Sequence, residues 1–275
     1  MEANLLHLAD RSALSPLSTP VGKKGEFGER GSLRLCHGAY RLRLAISEDE
    51  HRAAFRLRFR VFNLELNEGL ESAYQTGYDE DEFDPVCDHL IVEHAPTGQV
   101  VGTYRLQAGP IAAANLGFYS EREFHFGPYQ PLRETLIELG RACIHRDHRS
   151  TGVLDLLWRG IARYAALHNG RYLIGCCSLT SQDPAHGTAV YESLRDYEAE
   201  PALRTLPQPA FAMPLVAANG ASCSIPKLLR TYLAVGAKIC GPPALDREFK
   251  TIDFLTLLDF EALHPRLRAR FLKLK

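Results

Sequence analysis

Residues 136–178 constrain the fold more than any other part of the chain. The run Leu136-Ile-Glu-Leu-Gly-Arg-Ala-Cys-Ile-His145 reads as an apolar strand carrying one carboxylate, Glu138. A polar turn follows, Arg149-Ser-Thr-Gly152. Behind it Leu154, Leu157, Trp158, Ile161 and Ala165 recur at the spacing of one helical face, which predicts a helix over 152–168. Tyr172–Ser178 is a second continuous apolar strand. Strand, turn, long amphipathic helix and strand in that order predict an α/β chain with a mixed sheet flanked by helices. The same order sets a possible general base near the free N–H groups of a helix start, where a phosphate could sit.

The other segments fit one domain. Tyr40–Ile46 alternates polar and apolar residues, as a half-buried strand does, and Ser47 with Glu50 forms a capping box for a helix from about Glu48 to Leu64. His89–His94 and Val100–Gln107 read as strands joined by the turn Pro96-Thr-Gly-Gln99. Asp183-Pro184 starts a helix, Pro226–Val235 is another, and Ala237–Cys240 and Thr251–Leu258 are strand-like. Residues 1–36, rich in Ser, Pro and Gly, read as a flexible leader with a short helix near Leu5–Leu8. Residues 37–275 carry no repeat and no dividing linker.

A formal net charge of −1 over 275 residues excludes a general nucleic-acid binder. The charge is uneven, however. Residues 65–84 hold eight acids and no Lys or Arg, whereas 141–171 hold six Arg against Asp147 and Asp155. That acidic segment lacks periodicity and reads as a long functional loop. Seven Cys match no metal-ligand spacing, so reduced, buried thiols and no metal are expected. No apolar run reaches the ~18–20 residues that cross a bilayer. A cytoplasmic protein with at most peripheral membrane contact is expected.

Within this frame Glu138 has two readings: a desolvated carboxylate poised to take a proton, or a Glu on the solvated face of an edge strand. Arg141 is three positions on, so a regular strand sets the two on opposite faces, and a bulge at Gly140 would bring them together. The turn from Arg149 through Thr151, Gly152, Val153 and Leu154 offers backbone donors to a phosphate, although many helices begin this way. Tyr191 is either helix packing or a hydroxyl aimed into a cleft.

Further segments complete a pattern: Arg58-Phe-Arg-Val-Phe62, Asp84-Pro-Val-Cys-Asp-His-Leu90, Val101-Gly-Thr-Tyr-Arg-Leu106, Phe118-Tyr-Ser120, Leu157-Trp-Arg-Gly-Ile161, Gly175-Cys-Cys-Ser178 and Gly236-Ala-Lys-Ile-Cys-Gly-Pro-Pro-Ala244. Together they resemble the Gcn5-related N-acyltransferase (GNAT) superfamily. Within it they resemble the N-acyltransferases of ornithine-lipid synthesis, also labelled hemolysin-like, which are related to the acyl-homoserine-lactone synthases. The superfamily's phosphate turn ends in Gly or Ala where this chain has Leu154, a departure that favours acyl carrier protein over acetyl-CoA as donor. The resemblance implies a twisted, splayed sheet. It implies Glu138 as general base with Arg141 beside it, Tyr191 as general acid, and Arg58, Phe62, Asp84, Asp88 and Arg105 around the acceptor.

The expected reaction moves a long fatty acyl group, with or without a 3-hydroxyl, from acyl carrier protein (or acyl-CoA) to the α-amine of an amino acid, ornithine first among them. No bound cofactor is expected. The pantetheine phosphate would rest on the Arg149–Leu154 turn, and an N–H near Ala142 or Cys143 would face the oxyanion. Arg146, Arg149, Arg159 and Arg163 would receive the acidic carrier protein. Asp79–Asp84 would attract the acceptor's second positive charge, unless that loop is simply solvated. The basic run Arg266–Lys275 is compatible with anionic lipid. Two other readings stand beside this one: a lactone-type signal synthase, and a non-catalytic member that binds carrier protein or membrane.

Overall fold

The apolar runs pair into one sheet of nine strands. The computed structural model describes residues 33–149, 151–218, 220 and 223–272. Its strands are β1 Arg34–His37, β2 Tyr40–Leu44, β3 Asp88–His94, β4 Gln99–Ala108, β5 Leu136–Ile144, β6 Tyr172–Leu179, β7 Lys238–Ile239, β8 Ala244–Asp246 and β9 Thr251–Asp259. They lie in the order β1-β2-β3-β4-β5-β6-β9-β7, with β8 also on β9. All neighbours are antiparallel except β5 and β6. The helices are α1 Glu48–Phe59, α2 Ala73–Thr76, α3 Gly109–Ala114, α4 Thr151–Leu167, α5 Pro184–Ser193, α6 Lys227–Ala234 and α7 Pro265–Leu272.

The Ser47–Glu50 capping box starts α1 as the sequence predicts, and Asp183 caps α5 with Pro184 in its first turn. The predicted run to Leu64 is helical but changes character: Arg60–Glu65 is a π-helix that turns Phe62 inward. The domain also starts earlier than the predicted boundary at 37. Leu33 is fully buried, and β1 pairs Leu35 with Leu42. The helix expected near Leu5–Leu8 lies outside the described residues. Strand β8 and helix α3 are each too short to show a period in the sequence.

Strand alternation separates two faces. On one, Leu90, Leu106, Leu139, Leu173 and Phe254 pack with Leu157 and Ile161 of α4, Val190 of α5 and Leu229 of α6. The approach is close at Gly160, where a Cβ would strike Leu42 and Leu90. The opposite face carries Arg105, Glu138, Cys176 and Asp253 beneath the turn around Tyr119.

Two irregularities in β5 shape the centre of the sheet. Its pairing with β6 covers only Leu136–Glu138 against Tyr172–Ile174, after which the strands part. At the parting point a Cβ on Gly175 would collide with the Leu139 carbonyl, so glycine permits the close approach from which the strands diverge. Toward β4, Thr103 pairs with Cys143 but Arg105 with Gly140, leaving Arg141 and Ala142 opposite Tyr104 alone. This is a β-bulge with Arg141 at φ 45°. The bulge therefore exists, one residue beyond Gly140, which keeps its place in the ladder.

Candidate active site

A cavity of about 610 Å³ lies where β5 and β6 diverge, lined by side chains from both faces of the sheet. Glu138 lines it and is buried. Its Oε2 accepts the Tyr119 N–H at 2.8 Å, while Oε1 accepts the Ser120 N–H at 2.8 Å and the Ser120 hydroxyl at 2.5 Å. Burial pushes the Glu138 pKa up, and the three donors pull it only part of the way back. The result is a rigid carboxylate with one lone pair still free and a raised proton affinity, which suits a general base.

Arg141 lines the same cavity without touching Glu138. It donates to Asp81 at 2.9 Å, lies 3.4 Å from Asp79, and stacks 4.4 Å from the Phe249 ring centroid and 4.9 Å from that of Tyr119. These contacts hold a non-glycine residue at positive φ. Arg58 donates to Asp79 at 2.6 Å and grips both oxygens of Asp84, and Arg105 bridges Asp81 and Asp84. Three buried arginines thus alternate with three aspartates. Asp79, Asp81 and Asp84 are no lure for the substrate's second charge, because the protein's own guanidinium groups consume them, while Glu71, Glu80 and Glu82 of the same segment are exposed.

Other carboxylates of the cavity have no such partners. Glu68 accepts the Thr180 hydroxyl at 2.7 Å, and burial raises its pKa to about 7. Asp246 and Asp253 also line the cavity, and with Glu123 they bring oxygens within 4.8 Å of one another. Burial pushes Asp253 up to about 6, reinforced by Asp246, and pushes Glu123 well up beside Asp253. Oδ1 of Asp253 and Oε1 of Glu123 are buried without a hydrogen-bond partner. So is the whole carboxamide of Gln107, which stands directly across the ladder from Glu138. Such an acidic set could hold a metal ion or an ammonium group.

On the α4 face, Leu139, Leu154, Leu228 and Leu229 give the cavity an apolar wall. Tyr104 and Tyr232 line it with their hydroxyls 2.6 Å apart. Arg149 stands at its mouth, paired with Glu65 at 2.5 Å and donating to the Ile144 carbonyl at 3.1 Å.

Residues 57–159 match the model of an acetyltransferase (GNAT) domain. The L-ornithine N(alpha)-acyltransferase of Brucella abortus is 35% identical over 254 residues, covering 83% of this chain and 87% of its own length. That of Agrobacterium fabrum is 34% identical, covering 92% and 90%. The chain belongs to the L-ornithine N(alpha)-acyltransferase family.

As a GNAT acyltransferase it also shares its fold with FeeM, an N-acyl amino acid synthase from uncultured soil microbes, at a TM-score of 0.50, 11% identity, and coverage of 81% and 91%. The structure sorts the predicted site residues of this family member. Glu138, Arg141, Ala142, Cys143, Arg149, Leu154, Phe62 and Arg105 line the cavity. Gly152 is in the first turn of α4 and Val153 is packed into the core, so only their main-chain groups are available. Thr151 opens α4.

Four predicted site residues need correction. The Tyr191 hydroxyl donates to Glu198 at 2.7 Å and accepts from Arg195, and the ring lies in the core outside the cavity, so it is not placed as the general acid. Asp88 is on the α4 face, where it accepts the Tyr164 hydroxyl at 2.9 Å, so it does not reach the acceptor side. Arg58 and Asp84 do not line the cavity and act through Arg105 and the loop aspartates. Arg146 is exposed beside Asp147, and Arg159 and Arg163 are half-buried on α4. Asp253 is a cavity residue that the sequence reading misses, although Thr251-Ile-Asp-Phe-Leu repeats the signal that marks Glu138, a lone carboxylate in an apolar strand.

Proposed function

We propose that this protein transfers a long fatty acyl group from acyl carrier protein to the α-amine of ornithine. The observation that carries the reading is the buried Glu138 carboxylate at the divergence of β5 and β6, fixed by the Tyr119–Ser120 turn inside a cavity lined from both faces. The thioester enters from the α4 face, with its pantetheine phosphate near Arg149 and the start of α4. Leu154 at the end of that turn and the arginines Arg146, Arg159 and Arg163 favour a carrier protein over free coenzyme A. The amino acid enters from the other face with its α-carboxylate toward Arg141 and its α-ammonium toward Glu138.

Glu138 removes one proton from the ammonium, and the free amine attacks the thioester carbonyl. A C–N bond forms, and a main-chain N–H in the Arg141–Ala142 bulge faces the oxyanion. The C–S bond then breaks. The nitrogen's second proton passes to the departing thiolate, whose pKa near ~8.5 makes it a good leaving group without a dedicated acid. Ornithine as acceptor is favoured by the unbalanced acids beside Glu138 and by the acceptor for which the relatives are named.

The test supplies purified protein with 3-hydroxyacyl carrier protein and single amino acids, with products read by mass spectrometry. An N-acyl-ornithine product is expected, together with a roughly 100-fold or greater loss of rate in Glu138→Gln. Full activity in that variant would remove Glu138 from the mechanism, and a thioester left intact with every amine would remove the acyltransferase reading. A lactone product when S-adenosylmethionine replaces the amino acid would indicate the signal-synthase reading.

A further inference from the structure

Resting on that reading, we infer that Asp253, Glu123 and Asp246 form the subsite for the acceptor's distal ammonium and so select a diamino acid over neutral amino acids. The three residues come from separate parts of the chain. Asp253 projects from β9 and Asp246 from the end of β8, while Glu123 follows the Tyr119–Arg122 turn that holds Glu138. All three are buried, with exposures of 3%, 3% and 1%.

Acidic side chains gathered together do not by themselves make a site, but here their unused bonding capacity points to a ligand. Asp253 accepts a 3.3 Å bond from the Thr251 hydroxyl on Oδ2 and is also within hydrogen-bonding reach of Ser178 and of Glu123, with which it shares a proton when no cation is present, while its Oδ1 has no donor. Glu123 has a thiol contact from Cys176 on Oε2 and nothing on Oε1. Asp246 is held in place through Oδ1 by the N–H groups of Glu248 and Phe249, leaving Oδ2 with a 3.5 Å contact to the Tyr119 hydroxyl. One oxygen from each carboxylate is therefore available, matching the three N–H donors of a primary ammonium. Mg²⁺ or Ca²⁺ would want six or more oxygen ligands, whereas the cluster offers three carboxylates beside a thiol.

The position fits as well. Cys176 contacts both Ser120, which holds Glu138, and Glu123, so the cluster adjoins the base. Phe249, whose N–H fixes Asp246, carries the Arg141 guanidinium on its ring. An α-carboxylate at Arg141, an α-amine at Glu138 and a side-chain ammonium at Asp253 then fall on one face of the sheet. The buried guanidinium groups nearest the cluster, Arg105 and Arg141, are engaged by Asp79, Asp81 and Asp84, so the substrate supplies the missing cation.

Calorimetric titration of the full chain with ornithine and with norvaline, which ends in a methyl group, tests the assignment. Wild type should prefer ornithine, and Asp253→Asn and Glu123→Gln should each weaken ornithine on the order of 100-fold while leaving norvaline unchanged. Asp253→Glu should recover part of the loss, and circular dichroism shows that each variant is folded. Equal affinity of wild type for the two amino acids, or equal losses for both in the variants, overturns the subsite. So does tight Mg²⁺ or Ca²⁺ binding that excludes ornithine and vanishes in Asp253→Asn. Acyl-transfer assays on the same samples separate the two readings. Selective binding without transfer would discard the acyltransferase reading and keep the subsite, whereas transfer indifferent to the Asp253 charge would do the reverse.

Discussion

Single carboxylates in this molecule fall into two opposed classes, and pH separates them. Asp81 and Asp84 are held below the ordinary carboxylate range by Arg105, Arg141 and Arg58, which more than offset the effect of burial. Their stabilisation is present above ~4, the unfolded value, and is lost as pH falls. Asp253 at about 6 and Glu68 at about 7 behave oppositely. Between ~4 and those values the folded state keeps protons that the unfolded chain has released, so their contribution is complete below ~4 and disappears as pH rises through 6–7. Asp253→Asn should therefore melt higher than wild type at pH 8 by roughly 4–8 °C, with the gap closing toward pH 4, as thermal melts would show. Glu138→Gln should instead lose stability as well as activity. A carboxamide has one oxygen for the two backbone N–H groups of Tyr119 and Ser120, leaving one of them facing an amide NH₂ at a cost of about 1–3 kcal/mol, read from denaturant midpoints. Glu138 was legible because a charge interrupts an apolar strand. Tyr119 and Ser120 were not, since their role lies in backbone N–H groups brought across from a loop.

Among the elements, the β5–α4–β6 unit was legible because its periods are long and its turn polar. Its two functional irregularities were less so. The bulge was expected at Gly140, the residue best suited to positive φ, yet Arg141 takes that conformation because its guanidinium gains Asp81, Asp79 and two aromatic faces there. The acidic segment showed no periodicity because its order comes from ion pairs to α1, β4 and β5 rather than from an apolar face. The divergence of β5 and β6 depends on Gly175. Gly175→Ala should cost about 1–3 kcal/mol or more, because its methyl meets the Leu139 backbone. Gly102→Ala, whose methyl meets the Val153 side chain at 3.2 Å, should cost less. Comparing the two melting temperatures and acyl-transfer rates would show whether the divergence point is as rigid as its backbone contact implies.

For the whole molecule, composition indicated a near-neutral globular chain, and the structure shows how that neutrality is partitioned. Glu65, Asp79, Asp81, Glu82 and Asp84 balance arginines distant in sequence, while Glu68 joins the carboxylates that the cavity keeps in excess. Long-range pairing of this kind has no local period, which is why the domain's outline was readable and the electrostatic division of its site was not. No described helix is long and apolar enough to cross a membrane, and Leu267 of α7 packs against the main core, giving the start of the basic C-terminal run a structural role of its own.

The gap between β5 and β6 also has a consequence for the order of events in turnover. Because the cavity is lined from both faces of the sheet, it has room for donor and acceptor side by side, and neither must leave before the other arrives. Burial raises the thiols of Cys87, Cys143, Cys176 and Cys177, so among the described residues lining the cavity no reactive thiolate stands ready to hold the acyl group between half-reactions. Initial-rate plots against both substrates should therefore give intersecting lines. Free thiol should not be released before the amine is added. Parallel lines, or a burst of thiol without acceptor, would instead mean that the acyl group pauses on the protein.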